Sequence, residues 1–234
     1  VSKDTWQDGH QLWRDFVNEV TQIAFKRKLI KDVYSEKGIE IINQTHSNWF
    51  ARVQRILIDD LILSVMRLLD PDSTGKYENF SLNYITKNAG DCIDQSHHEE
   101  ISQLIDDADE VIKRIKDHRD KRIAHADLRT AQCPMQLPSI NFQDIECVIF
   151  MLQRIANMYS MHLNNGPIEF EDMIDHRSGK LVISCLELGI SAYSLINLVN
   201  KIKYQHTDRL SYDESKIKPL IFEMNRMGYR PRSD

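Results

Sequence analysis

Turn-forming material is scarce in this chain, which holds eight Gly and six Pro among 234 residues. That is too little for the many tight turns of a strand-rich sandwich, so the composition favours helices. The four cysteines (Cys92, Cys133, Cys147 and Cys185) are scattered, with no pair at a metal-finger or redox spacing. A reducing compartment is the simplest expectation, and with it a cytoplasmic location. There is no Gly-rich phosphate loop, no nucleophile elbow and no zincin motif, and no cofactor is expected. Internal repeats and low-complexity tracts are also missing. An excess of positive charge is lacking too: the net charge is −5, so any nucleic-acid site must be a local patch.

Val1 is not an initiator methionine, so a trimmed start is expected, and the first residues show no secretory pattern. The longest apolar stretch runs from Leu181 to Ile202. It carries Glu187, Asn197, Asn200 and several serines, which are costly in hydrocarbon, so a buried helix is expected rather than a membrane span.

What is present is helical periodicity from end to end. Thr5 to Leu29 places Trp6, Trp13, Phe16, Val17, Val20, Ile23 and Ala24 near one face. A short helix is expected over Val33 to Asn43 and a long one over His46 to Leu69, broken by Pro71 and Gly75. Asn79 to Thr86 reads as a short helix, and Ser96 with Glu99 forms an S-x-x-E capping box. The helix opened there should reach about His125. Cys133 to Ser139 reads as a linker, and Asn141 caps a helix to about His162. Gly166-Pro167 marks a boundary, with the apolar helix and a last helix near Asp213 to Arg226 beyond it. No strand is needed anywhere, and the three tryptophans, Trp6, Trp13 and Trp49, are expected in the core.

The helix from Ser96 carries the most informative pattern. Its apolar stripe is Ile101, Leu104, Ile105, Ala108, Val111, Ile112 and Ile115. The same stripe continues as His118, Arg119, Arg122, His125 and Ala126, so an interior-directed face turns cationic. Sequences break their own pattern mostly at functional or strained sites. The bland alternative is the macrodipole: acids crowd the first half of this helix and bases the second. That accounts for the charge counts but not for histidines and arginines on the stripe itself.

The run Arg119-Asp120-Lys121-Arg122-Ile123-Ala124-His125 is an R-x5-H with a polar residue directly after the arginine. Upstream stand Ser64-Val65-Met66-Arg67-Leu68-Leu69-Asp70-Pro71-Asp72 and Gly75-Lys76-Tyr77-Glu78-Asn79-Phe80-Ser81-Leu82, and the motif ends in Ala126-Asp127. Together these resemble the HEPN superfamily, in the branch linked to abortive phage infection, over roughly His46 to His162. The resemblance implies an all-α, HEPN-type helical bundle with additional N- and C-terminal helices. On that basis residues 1–45 form an N-terminal helical extension, 46–165 the core, and 166–234 a C-terminal region packed on it.

The resemblance also implies a metal-independent endoribonuclease of toxin or phage-defence type, with RNA as partner. Such a protein works as a homodimer whose cleft joins two motifs, and an antitoxin or another protein is a further expected partner. RNA carries its own nucleophile, the 2′-hydroxyl. Histidine suits proton transfer near neutrality and arginine suits the charge on phosphate. His125 is the expected acid/base and Arg119 the phosphate clamp. His118, Lys121 and Arg122 are second-tier RNA contacts, and Asp120 and Asp127 are supporting groups. Asp59 and Asp60, inside an apolar helix, either orient Arg119 or His125 or form a structural salt bridge. Arg67 and Asp70 read as a helix-end pair, since positions three apart can meet. On a regular helix Arg119 and His125 would sit about 120° apart, so a bend before His125 or a second protomer is needed. Asp91, Cys92, Asp94, His97, His98 and Glu99 form a metal-like cluster by composition, but the capping box accounts for Glu99 and no metal is expected. The rival class is a non-catalytic HEPN module that binds nucleotide, RNA or protein.

Overall fold

The first helix sets the architecture, because its apolar stripe is long enough to meet nearly every other element. The structure, a computed structural model, describes residues 3–45, 47–124, 140–163, 165–170 and 178–205. Helix α1 (Lys3–Val33) is followed by α2 (Glu36–Asn43), where the Ser35 hydroxyl accepts from the Gly38 N–H at 3.2 Å and caps the first turn. Helix α3 (Ser47–Leu68) ends just before Pro71, which cannot extend a helix. A two-stranded hairpin, β1 (Ser73–Thr74) and β2 (Tyr77–Glu78), turns at Gly75, whose φ of +63° suits glycine. Then come α4 (Leu82–Ala89), a single 3₁₀ turn (Gly90–Cys92), α5 (Gln95–His118), α6 (Phe142–His162) and α7 (Ser178–Gln205).

Trp13, Phe16, Val20, Ile23 and Ala24 of α1 lie in one core with residues of α3 to α6, among them Leu61, Ile85, Ile115 and Ile149. Each of the valine, leucine, isoleucine and phenylalanine side chains among them contributes about 1.5–3 kcal/mol by leaving water. The Trp13 indole N–H donates to the Ala89 carbonyl at 3.0 Å, and its ring stacks on Tyr159 at 5.3 Å. Helices α5 and α6 run antiparallel. Arg114, near the end of α5, pairs with Asp144 at the start of α6 at 2.7 Å, while His97 meets His162 at the opposite end. Asn141 and Asp144 form a full capping box on α6, as the position of Asn141 leads one to expect.

Several sequence expectations need correction. A token hairpin exists where no strand was needed. Helix α5 starts at Gln95, not at a Ser96/Glu99 box. Asp94, itself a favoured N-cap residue, comes first, and its carbonyl accepts from His97 and His98 at 2.9 and 3.3 Å. Trp49 is 59% exposed and rests edge-on against Phe50, so only Trp13 is demonstrably core; the side chain of Trp6 lies outside the described ones. The largest correction concerns α7. Only one stripe, centred on Ile183 with Leu186 and Ile190, meets α1 and α2, and Leu181, Leu188, Tyr193 and Leu198 are exposed. Across Gly179–Val199 this helix is long and apolar enough to cross a membrane by length and composition, with 6% of that window buried. The buried helix read from its composition is not what is observed. The linker at Cys133 to Ser139 and the last helix near Asp213 to Arg226 lie outside the described residues.

Ile115 is fully buried where α5 meets the core. Ile115→Ala is expected to cost about 2–5 kcal/mol in chemical denaturation, with an unchanged denaturant slope. A loss below about 1 kcal/mol would contradict the packing described.

Candidate functional site

At His118 the α-helical winding of α5 stops, and Arg119–Ala124 continue as a wider π-helical turn. Such turns leave the regular hydrogen-bond ladder and recur at functional sites. The 120° separation of Arg119 from His125 on a regular helix therefore does not apply. His125 and Asp127 lie outside the described residues, so the geometry of the site is that of Arg119 and its neighbours.

Arg119 is held from two sides. Its Nε donates to Asp120 at 2.7 Å and its Nη1 to Asp70 at 2.6 Å, and its side chain is 13% exposed. Burial alone would lower its pKa; the hydrogen bonds and charges of Asp120 and Asp70 outweigh that and raise it. These bonds engage Nε and Nη1, and no described residue accepts from Nη2, so the fork keeps donors for a further anion.

Asp70 was not expected in this role. Sequence spacing suggests a pair with Arg67, but α3 ends at Leu68, so Asp70 lies past the helix and the i,i+3 geometry does not apply. Arg67 turns instead to Glu19 at 3.0 Å. The signal that would have found Asp70 is a carboxylate immediately before Pro71, at a helix end, within the upstream run that carried the family resemblance.

Arg119, Asp120 and Asp70 rim an open cavity of about 540 Å³ together with Lys26, Asp60 and Arg67. Asp60 pairs with Lys26 at 2.7 Å, and Lys26 also donates to the Ser64 hydroxyl at 2.7 Å. The carboxylates on Arg119 are thus Asp70 and Asp120. Three cations face three carboxylates here, so the cavity is polar but nearly balanced.

His118 and Arg122 face the other side of α3. They line a smaller cavity of about 280 Å³ with Arg55, Asp59, Asn141 and Phe142. Asp59 lies 3.8 Å from Arg55 and acts electrostatically on His118. Lys121 pairs with Asp117 at 3.1 Å on the exposed surface. The basic stripe therefore divides, with Arg119 on one side of α3 and His118 and Arg122 on the other. The structure brings Asp120 to Arg119 and Asp59 to His118, and places Lys121 with neither.

A family model, HEPN AbiU2, matches residues 12–182. The chain belongs to the AbiU2 family of HEPN proteins. No curated protein and no solved structure matches it. The AbiU2 match runs well beyond the span from His46 to His162 that carries the resemblance in sequence, taking in most of α1 and the first turn of α7. The abortive-infection branch and the all-helical fold are thereby shown, and HEPN domains are often ribonucleases.

In this AbiU2 chain His118 is held below the usual imidazole pKa, first by burial and then by Arg122, with Asp59 opposing. A depressed folded value means that, as pH falls below the ordinary value of about 6.5, the unfolded chain takes up this proton before the folded one. The contribution is present above that pH and lost as acid is added. NMR titration should place His118 below about 6.5, and Asp59→Asn should lower it further by removing the opposing charge. A value unchanged or raised in the variant would contradict this assignment.

Proposed function

We propose that the protein is a metal-independent endoribonuclease of the phage-defence type, acting in the cytoplasm. The observation that supports it best is Arg119, oriented by Asp70 and Asp120 with no described residue accepting from Nη2, at the helix end from which the R-x5-H motif proceeds. Preorganised donors of this kind stabilise charge that gathers in a transition state. Arg119 takes the non-bridging phosphate oxygens and His125 moves the proton between the 2′-hydroxyl and the leaving 5′-oxygen. His118, Lys121 and Arg122 contact the flanking RNA, and Asp127 supports the histidine. The active form is a two-fold homodimer in which both motifs face one cleft, restrained in the cell by an antitoxin or similar partner.

The second reading is a binding module without catalysis. What favours it is the balance of charge around Arg119, where carboxylates already neutralise the cations that phosphate would need. That module would bind nucleotide, RNA or a protein partner without cleaving RNA.

Purified protein with total RNA and EDTA separates the two. The nuclease leaves 2′,3′-cyclic phosphate and 5′-hydroxyl ends and ignores DNA. His125→Ala is expected to lower its rate by about 10²–10⁴. Arg119→Lys fails as well, because a point charge does not replace the bidentate fork. Full cleavage by the His125→Ala protein, or a requirement for added magnesium or manganese, would overturn the mechanism. RNA binding with no cleavage would leave the module.

Assembly is checked separately by sedimentation at micromolar concentration. A dimer burying more than about 1,000 Å² is expected, and a monomer would remove the shared cleft.

A further inference from the structure

We propose that Asp94, His97 and His162 bind a divalent transition-metal cation, zinc foremost, which fastens the start of α5 to the end of α6. Each offers one ligand atom, and these atoms all lie within 4.8 Å of one another. His162 Nδ1 and Asp94 Oδ2 are 3.4 Å apart. Ligands on a tetrahedral zinc with bonds of about 2.0–2.2 Å stand about 3.3 Å apart, so one pair is already at that spacing. The remaining ligand atom needs a side-chain shift of roughly 1.5 Å at most.

Three independent features set this cluster apart from a solvated helix start. The ligands come from two elements, because His162 closes α6, 65 positions after His97 along the chain. The rings of His97 and His162 meet edge to face at 5.9 Å. His97 Nδ1 is buried and finds no hydrogen-bond partner among the described residues, although buried polar atoms are rarely left so. In addition, Asp94 occupies the N-cap of α5 yet makes no side-chain capping bond; its carboxylate turns to His162 instead.

The surrounding charge is compatible. The positive end of α5 opposes a cation, but the Asp94 carboxylate offsets it, and the carbonyl end of α6 beside His162 favours one. Two imidazoles and a carboxylate suit zinc and its neighbours rather than magnesium or calcium, which take oxygen. The site lies a full α5 length, about 35 Å, from Arg119, so it serves the helix pair and not the proposed cleavage. It stands whether or not the chain is a nuclease.

The test uses the full chain, stripped with chelator and then titrated with zinc chloride by calorimetry, and in parallel with cobalt(II) chloride by visible absorption. One zinc per chain is expected, with a higher melting temperature. The cobalt spectrum should show tetrahedral d–d bands without thiolate charge transfer. His97→Ala and His162→Ala, each checked by circular dichroism, should weaken zinc by about 100-fold or more, since even outer-shell losses cost 10–100-fold. No zinc binding at micromolar concentration, thiolate bands in the cobalt protein, or unchanged affinity in either folded variant would overturn the proposal. If a variant does not fold, the native cobalt spectrum decides alone: octahedral or absent bands overturn it.

Discussion

The pairing of Arg119 with Asp70 ties together, by charge, two helix ends whose apolar residues already share one core. Helix α3 stops at Leu68 ahead of Pro71, and α5 loses its regular winding at Arg119. An unpaired guanidinium at 13% exposure would be costly, and a lone carboxylate beside it less so. With Asp70 on one side and Asp120 on the other, the arginine is both satisfied and aimed. Side-chain entropy that a free arginine would lose on gripping phosphate is largely lost already on folding. The same carboxylates that orient the group also reduce its net charge, so precision comes with weaker long-range attraction.

The rest of the molecule can be understood as support for that junction. Helix α1 spans the core and holds α3, α4 and α6 against a single apolar stripe, leaving α5 to pack on α6 along its length. Ile115 is the last fully buried residue of the α5 stripe; one turn later the same face carries His118 and Arg119. Fully buried apolar residues of this stripe thus end where the polar groups begin, and beyond them Ile123 packs on the core only partly buried. At the other end of the same helix pair, His97 and His162 close the hairpin near Asp94. Each end of α5 is therefore tied by polar groups and its middle by hydrophobic ones.

Much of this was legible from spacing alone. The stripe from Ile101 to Ile115 announced both the helix and its buried face, and Asn141 announced the start of α6. Family membership was legible because short contiguous runs carry the resemblance. Asp70 was not, because its partner is 49 positions away and the one local signal, a carboxylate immediately before Pro71, does not name that partner. His162 escaped for the same reason: one histidine at a helix end carries no signal until α6 folds back beside Asp94. The cap of α5 was misplaced because two polar candidates two positions apart, Asp94 and Ser96, compete and the earlier one takes the cap. The apolar run of α7 was misjudged because composition reports hydrophobicity, not whether neighbouring helices suffice to cover it.

The most direct test of the central claim is a double-mutant cycle on Asp70 and Arg119, measured by chemical denaturation and by RNA cleavage on the same four proteins. If the carboxylate acts by holding this guanidinium, the Asp70→Ala and Arg119→Ala effects overlap, with a coupling of about 1–3 kcal/mol in stability and no further loss of cleavage in the double variant. Fully additive effects in both measurements would show that Asp70 and Arg119 act independently, and the junction described would not be what orients the site.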